Sequence, residues 1–441
     1  VTIQAPHSAD LPEPEPWWSF HTLLAKCQAE PFLDLTAGLE ALEAALSTAV
    51  RQQSLADVPL GSFLSGGIDS SLITAMLQVQ SSRPVRTFTI GFEEAGFNEA
   101  PYARAVAAHL GTVHSETILT AADAQALIPQ LPQLYSEPFA DSSQLPTHLV
   151  CREARRSGLT VALSGDCGDE LFGGYNRYFW GPRIWNRLAW LPWPLRRSIG
   201  LLVRSLPSAG WDALGRPLPI HQLGQKAHKL AERLQHVRSA DDLYRSLVSE
   251  WRDPAALLQP DADGFPIQEP SSPLDLPLPA GLRSDAVARM MATDTINYFP
   301  NDILTKVDRA AMAASLETRA PFLDHRVAEL AWRLPMTMKI HPGEGGGTSK
   351  WALRQILFKY LPPVLIERPK AGFGIPIGYW LRGPLRNWAE ELLEPGLMQR
   401  QGCLRPEPIQ GLWRQHLSGR FDHTGKLWTV LMWQAWLAEW G

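Results

Sequence analysis

Serine, glycine and aspartate residues stand close together where a predicted strand meets a predicted helix. Segment 58–77 begins with strand-type apolar residues, passes through SGGIDSS at 65–71 and ends in an apolar helical face. Adjacent glycines let the backbone approach a ligand, and the N–H groups of a first helical turn attract an anion. The string lacks the lysine of the GxxxxGK[ST] loop, and Asp69 beside phosphates requires a cation such as Mg²⁺ between them. We predict a phosphate-binding loop here, the alternative being a capped turn before a core helix.

A second loop, SGDCGDELFGGY at 164–175, repeats this chemistry with more charge. Asp166, Asp169 and Glu170 fall within five residues, and their carboxylates repel one another unless a cation lies between them. One of them could bind a metal while another acts as a base. The alternative is an acidic helix N-terminus favoured by the helix dipole.

Three further polar segments lie downstream. Segments 306–309 and 317–324 carry mixed charge within apolar sequence, and we expect most of these groups to form structural salt bridges, since buried charges are paired. Segment 368–374 is a glycine-containing loop with Lys370, a point charge suited to a leaving pyrophosphate. By itself this loop is indistinguishable from an ordinary surface loop.

The predicted elements bring the two glycine loops together. Strand patterns at 86–92, 113–119 and 159–163 alternate with helical patterns at 35–54 and 98–110. Such alternation is typical of an α/β fold with a parallel sheet flanked by helices, in which ligands bind at the carboxyl ends of the strands. Both loops follow strands, so we expect them to face one crevice. From about residue 178 the chain is rich in tryptophan and helix-forming sequence, and we expect the tryptophans to fill a helical core.

Length and composition limit the classes of function. A chain of 441 residues is longer than one hydrophobic core usually supports. We divide it into a linker from an absent upstream domain (1–35), an α/β core (36–180) and a mostly helical portion that completes the active site (181–441). The net charge of −4 argues against a nucleic-acid partner, and no apolar run reaches membrane-spanning length, so we expect no membrane partner. Four cysteines without CxxC spacing suggest neither a zinc site nor disulfides and favour the cytoplasm.

Four motifs in order carry a family resemblance. SGGIDSS resembles the pyrophosphate loop (PP-loop) of the ATP pyrophosphatases. Together with SGDCGDELFGGY, LTKVDRAAMAASLETRAPFLD and RPKAGFGIP, it is similar to the synthetase domain of glutamine-dependent asparagine synthetase. The resemblance covers the chain from about residue 36 to the end. It implies a HUP-type fold, related to the adenine nucleotide alpha hydrolases, with a helical C-terminal extension.

The resemblance also implies an activity and a set of site residues. The activity is ATP-dependent amide synthesis: aspartate attacks the α-phosphate, pyrophosphate leaves, and ammonia displaces AMP from a β-aspartyl-adenylate. Mg²⁺ would be bound by Asp69 and Asp169, catalytic roles fall to Asp166 and Lys370, and Glu317 is a further catalytic candidate. The residues implied in ATP binding are Phe63, Leu64, Ser65, Gly66, Gly67, Asp69, Ser70, Ile90, Ser164 and Gly165.

Two departures from the family pattern stand out. Cys167 occupies a position where we expect glycine. The family normally begins with a glutaminase domain that releases ammonia from glutamine, whereas here Val1 opens a proline-rich segment. We therefore expect an excised synthetase half whose glutaminase lies upstream in the same chain or on a separate subunit, and we keep a homodimer open.

Alternative functions remain at this point. The same scaffold serves β-lactam synthetases, lasso-peptide cyclases and amidases of surface-sugar pathways, and the acceptor pocket that distinguishes them is not visible in the sequence. A non-catalytic nucleotide-binding module is a further alternative, although such a module needs neither metal carboxylates nor a leaving-group lysine.

Overall fold

A five-stranded, all-parallel sheet organises the structure, a computed structural model that describes residues 16–93, 98–207, 210–211, 223–260, 277–282, 284–343, 347–367 and 375–441. The strand order is β3-β2-β1-β4-β5. The five strands are β1 (Leu60–Phe63), β2 (Arg86–Phe92), β3 (Val113–Leu119), β4 (Val161–Leu163) and β5 (Glu317–Arg319). The predicted α/β class with a parallel sheet is therefore confirmed.

The first half of the chain alternates strands with helices, as predicted. Its helices are α1 (Phe20–Ala29), α2 (Leu35–Gln53), α3 (Ile68–Gln80), α4 (Ala100–Leu110), α5 (Ala121–Leu127), α6 (Leu131–Tyr135), α7 (Gln144–Arg156), α8 (Gly168–Phe172), α9 (Asn176–Ala189) and α10 (Trp193–Ser205). Gly111 ends α4 in the left-handed conformation, where a residue without Cβ is favoured.

The second half is mostly helical. Its helices are α11 (Leu223–His236), α12 (Ala240–Val248), α13 (Ala286–Thr293), α14 (Thr305–Ala313), α15 (His325–Arg333), α16 (Met336–Lys339), α17 (Trp351–Leu357), α18 (Ile377–Arg382), α19 (Arg386–Leu392), α20 (Pro395–Gln401), α21 (Pro406–Leu417) and α22 (Thr424–Trp440). A π-helical segment, Asp294–Leu304, joins α13 to α14, and a short antiparallel pair is formed by β6 (Ile340–His341) and β7 (Thr348–Ser349). No helix within the described ranges combines the length and apolarity needed to cross a bilayer.

β5 comes from this second half and completes the sheet. It pairs with β4 in parallel, with Val161 opposite Glu317 and Leu163 opposite Arg319. The sequence did not predict this strand, because Glu-Thr-Arg has no apolar pattern and a run of three residues gives no periodicity. The helical portion and the α/β core therefore share one sheet.

Helices cover both faces of the sheet. Residues of β2 after Arg86 and all of β4 are buried, so neighbouring side chains that point to opposite faces are both covered. Leu42 and Leu46 of α2 and Leu72 of α3 belong to the largest apolar cluster. A second cluster contains Trp380, Trp413 and Trp428, for which the prediction that tryptophans fill a helical core is confirmed. Trp180, Trp190 and Trp440 are instead more than half exposed.

Candidate active site

The two glycine loops lie against each other at the carboxyl ends of neighbouring strands. The first loop joins β1 to α3 and the second joins β4 to α8. A Cβ added at Gly165 would lie 2.6 Å from the amide nitrogen of Ser70, and one added at Gly168 would lie 2.4 Å from Oδ1 of Asp69. Such distances are far below van der Waals contact, so the glycines are what allows the loops to meet. The two loops therefore lie together at one edge of the sheet, as predicted.

Hydrogen bonds hold the first loop in shape before α3 begins. The Ser65 amide donates to Oγ of Ser70 at 3.2 Å, and the two serine hydroxyls lie 3.0 Å apart. The Gly67 amide donates to Oγ of Ser65 at 3.3 Å. Gly66 has φ +72°, and a Cβ there would lie 2.8 Å from the Tyr102 carbonyl carbon. The loop is thus a tight turn whose serines face the N-terminal end of α3.

A buried lysine joins the carboxylates of the two loops. Nζ of Lys350 contacts Oδ2 of Asp69 and lies 2.7 Å from Oδ1 of Asp169. The side chain of Lys350 is only 6% exposed, and those of Asp69 and Asp169 are 15% and 23% exposed. Burial alone would lower the pKa of this ammonium, but the carboxylates of Asp169 and Asp69 raise it above its ordinary value. The Lys350 ammonium therefore lies between Asp69 and Asp169, the two aspartates that we expect to share a Mg²⁺ ion.

Lys350 is a member of the candidate site that sequence analysis missed. It lies immediately before α17, with φ +53°, and its amide donates to the Phe172 carbonyl oxygen at 3.2 Å. Gly174 makes room for it, since a Cβ at Gly174 would lie 2.2 Å from Cε of Lys350. A single lysine in TSKWALRQ gives no local signal of this contact, which joins residues 281 positions apart.

The remaining carboxylates of the second loop are also perturbed. Burial raises the pKa of Asp166 above its usual range, and the Ser164 hydroxyl and the Lys306 ammonium oppose that rise. Burial and the charge of Asp169 raise the pKa of Glu170 to about 7, and the Tyr175 hydroxyl donates to Glu170 at 2.5 Å. A carboxyl group with a pKa of about 7, such as that of Glu170, could hold or accept a proton near neutral pH.

Cys167 adopts the backbone conformation that glycine favours. Its φ is +81° and it is buried directly before α8. This geometry accounts for the sequence expectation of glycine at this position, because only a residue without Cβ adopts a left-handed conformation at little cost.

The other nucleotide-binding candidates lie on neighbouring strands or directly after them. Phe63 ends β1, and the Leu64 amide that follows donates to the Phe88 carbonyl oxygen of β2 at 2.9 Å. Ile90 lies further along β2 and is buried, as is Leu64. Ser164 follows β4, and its amide donates to the Arg319 carbonyl oxygen at 2.8 Å. These residues flank the carboxyl edge of the sheet beside the loops.

Of the two remaining catalytic candidates, Glu317 lies away from the loops and Lys370 is outside the described residues. Glu317 begins β5 level with Val161, two residues before the carboxyl end of β4, and its half-exposed side chain pairs with Arg319 at 2.6 Å. Because the loops lie at the other end of these strands, we leave Glu317 out of the proposed site. Lys370 lies outside the described residues, and its role stays a prediction.

Most of the downstream charges form structural pairs, as expected. The Arg319 guanidinium donates to the Gln53 and Leu55 carbonyl oxygens at 2.8 Å each, which ties β5 to the end of α2. Lys306 is paired as well, since its buried ammonium lies 2.8 Å from both Asp141 and Ser143. Its charge also acts on Asp166.

Comparisons with known proteins agree with this geometry. The family model described as asparagine synthase matches residues 41–438. A Mycobacterium tuberculosis protein provisionally assigned as a glutamine-hydrolysing asparagine synthetase is 35% identical over 91% of this chain and 58% of its own length. Asparagine synthetase (glutamine-hydrolysing) 1 of Bacillus subtilis is 30% identical over 89% of this chain and 58% of its own length. The amidase ChyE of Penicillium rubens is 25% identical over 79% of this chain and 54% of its own length. The chain thus spans somewhat more than half the length of these relatives.

Proposed function

The chain belongs to the asparagine synthase family, and we propose that it is the synthetase part of an ATP-dependent amide-forming ligase. The observation that carries this proposal is the contact of one cation, the Lys350 ammonium, with the carboxylates of Asp69 and Asp169. Both loops bring N–H groups, hydroxyls or carboxylates to the same edge of the sheet. A triphosphate and its counter-cation need such a combination of donors and acidic groups.

The carboxylates of the two loops are suitable ligands for Mg²⁺. Within the part of the chain that the structure describes, no three His, Cys, Asp or Glu side chains are grouped to hold a metal ion. Mg²⁺ is commonly held by one or two carboxylates together with substrate phosphates, so Asp69 and Asp169 would suffice with ATP present. When bound, Mg²⁺ neutralises phosphate charge.

The chain's own residues bind and orient the substrates. The amides of the Ser65–Ser70 loop and the N-terminal turn of α3 bind the phosphates that leave as pyrophosphate. Phe63, Leu64 and Ile90 flank the adenosine. Asp166, held in the adjoining loop, assists formation and aminolysis of the acyl-adenylate, and Lys370 neutralises charge on the departing phosphates.

We assign aspartate as the carboxylate substrate and ammonia as the nucleophile. The products are then asparagine, AMP and pyrophosphate, and the reaction would serve amino-acid biosynthesis in the cytoplasm. The relatives' printed names, which include glutamine hydrolysis, support this assignment. We propose that ammonia comes from glutamine through a glutaminase domain upstream or on a separate subunit, as in a glutamine amidotransferase. A homodimer is compatible with this scheme.

A pyrophosphate-release assay with ATP, Mg²⁺ and ammonium tests the proposal. We expect release that depends on aspartate, and we expect Asp69→Asn to lower it about 100-fold or more. Asp57→Asn, which removes an exposed carboxylate in the loop before β1, is the matched control and should leave release unchanged. If pyrophosphate were released only with a different carboxylate, that compound and not aspartate would be the substrate. If Asp69→Asn kept near-normal turnover, Asp69 would not belong to the site.

A further inference from the structure

Two charged side chains near the second loop each leave one buried atom without a hydrogen-bond partner. The atoms are Nη2 of Arg177, in the first turn of α9, and Oδ1 of Asp302, in the π-helical segment that joins α13 to α14. Neither atom has a partner among the residues that the structure describes. A buried polar atom left in this way is unfavourable, and more so when its group is charged. Since one group is a cationic donor and the other an anionic acceptor, a ligand that carries both an anion and a cation would satisfy both.

The guanidinium of Arg177 is held in a fixed orientation. Its Nε donates to Oδ2 of the fully buried Asp294 at 2.9 Å. The hydroxyls that also donate to this carboxylate are those of Tyr178 and Tyr244, at 2.5 and 2.6 Å. The aromatic rings that contact the guanidinium are those of Tyr175 and Tyr298, whose centroids lie 3.9 and 4.8 Å from Cζ. The Arg177 side chain nevertheless stays 18% exposed, so one nitrogen anchors it while another is left to bind an anion.

Asp302 has no cation of its own. It lies four residues after Tyr298 in a π-helical segment, and π-helical turns are rare and frequently lie at functional sites. Lys306 forms its ion pair with Asp141 at 2.8 Å, and among the described residues Asp302 forms none. Burial and the charge of Asp141 raise the pKa of Asp302 to about 7, while the charges of Lys306 and Arg177 oppose that rise. An ammonium group beside Asp302 would favour its ionised form.

Contacts and charges connect both residues to the second loop. The nearer of the two rings on Arg177 carries the hydroxyl that donates to Glu170 of this loop at 2.5 Å. The charge of Lys306 acts on Asp302 and also on Asp166 of the same loop. Arg177 in turn contacts the ring of the tyrosine four residues before Asp302, and its charge acts on Asp302. The unsatisfied donor and the unsatisfied acceptor therefore belong to one region beside the candidate site.

We propose that Arg177 and Asp302 bind the α-carboxylate and the α-ammonium group of an amino-acid substrate. This inference rests on the proposed ligase function, and it identifies the acceptor pocket that is not visible in the sequence. Aspartate suits such a pocket, because its side-chain carboxylate remains available for adenylation while both α-groups are bound. A dicarboxylate without an amino group, or an amine without an α-carboxylate, would engage only one of the two residues.

Fragments of aspartate test the two halves of this pocket separately. Succinate is aspartate without the ammonium group, and β-alanine is aspartate without the α-carboxylate. Isothermal titration calorimetry measures their binding at pH 8, where a carboxyl group with a pKa of about 7 is ionised. Mg²⁺ and α,β-methylene-ATP are present, and the result does not depend on turnover because the methylene bridge of this analogue does not break.

Each variant should weaken the binding of a different pair of compounds. We expect Asp302→Asn to weaken aspartate and β-alanine about tenfold or more and to leave succinate unchanged, since a hydrogen bond to a charged group is lost. Arg177→Lys keeps a cation for Asp294 but loses the second arm of the guanidinium. It should weaken aspartate and succinate by a similar factor and leave β-alanine unchanged. The matched controls are Asp57→Asn and Arg386→Lys, two exposed side chains whose replacement should change none of these affinities.

Circular dichroism reports whether each variant is folded. If Arg177→Lys does not fold, Asp302→Asn still tests the proposal, since no described ion pair depends on Asp302. The proposal is overturned if the unmodified chain binds succinate as tightly as aspartate or binds none of the three compounds. It is also overturned if Asp302→Asn weakens all three equally or weakens none, or if Arg177→Lys weakens only the ATP analogue. The expected binding pattern without aspartate-dependent pyrophosphate release would instead refute the proposed ligase function and leave the pocket supported.

Discussion

Replacing Lys350 by methionine tests the arrangement of charges on which the site depends. Methionine keeps the length of the side chain and has the same difficulty as lysine with a left-handed backbone, so the substitution chiefly removes the charge. The carboxylates of Asp69 and Asp169 then face each other without the ammonium. Removing one partner of a buried ion pair costs about 3–5 kcal/mol, and we take about 3 kcal/mol because both carboxylates keep some contact with water.

This cost converts into a measurable change in thermal stability. A chain of 441 residues has an unfolding entropy of about 0.9 kcal/mol per kelvin, so the loss of about 3 kcal/mol lowers the Tm by about 3 °C. Differential scanning calorimetry in a chelator-containing buffer gives this value. Lys359→Met is the control, since Lys359 pairs with Glu43 at the surface and its loss should cost less than about 1 kcal/mol.

Mg²⁺ should then stabilise the variant more than the original protein. Once Lys350 is gone, a divalent cation can neutralise Asp69 and Asp169 without competing with the ammonium. At a concentration on the order of ten times its Kd, Mg²⁺ would restore about 1.4 kcal/mol. Our reasoning would be refuted if Lys350→Met and Lys359→Met had the same Tm, or if Mg²⁺ raised the Tm of Lys350→Met no more than that of the unmodified chain.

Two further substitutions test the packing of the site and a buried lysine outside it. Gly174→Ala would place a Cβ 1.9 Å from Oδ1 of Asp169, so it should lower both the Tm and the rate of pyrophosphate release. The control is Gly411→Ala, whose added Cβ has no neighbour within 4 Å and which should lower neither the Tm nor that rate. Burial lowers the pKa of Lys339 to about 7, so the cost of holding its charge is complete below pH 7 and disappears as the pH rises towards 10.5, the ordinary value. The difference between 10.5 and about 7 corresponds to about 5 kcal/mol, so Lys339→Met should be more stable than the original protein by about 5 kcal/mol at pH 6 and by less than about 1 kcal/mol at pH 10. An advantage of equal size at both pH values would show that the substitution does not act through the charge of Lys339.

The sequence predicted the parts of the site that are built locally. A strand, two glycines, a serine and an aspartate within a few residues define a turn and a helix start, because hydrogen bonds such as that from Gly67 to Ser65 join near neighbours. The alternation of strands and helices then requires a parallel sheet, and a parallel sheet brings the loops after β1 and β4 to one edge. These grounds bring Asp69 to the acidic residues of the second loop, and the family resemblance selects Asp169 among them.

Only the tertiary structure decided which distant residues join that edge and which do not. Glu317 stands in a charged segment like the others, yet the register of β5 with β4 places it level with Val161, away from the loops. Lys350 gives no signal in the sequence, yet the packing of α17 carries its ammonium between the two aspartates. The direction and register of a strand, and the helix against which a loop packs, depend on contacts between residues far apart in the chain, and no local pattern encodes such contacts.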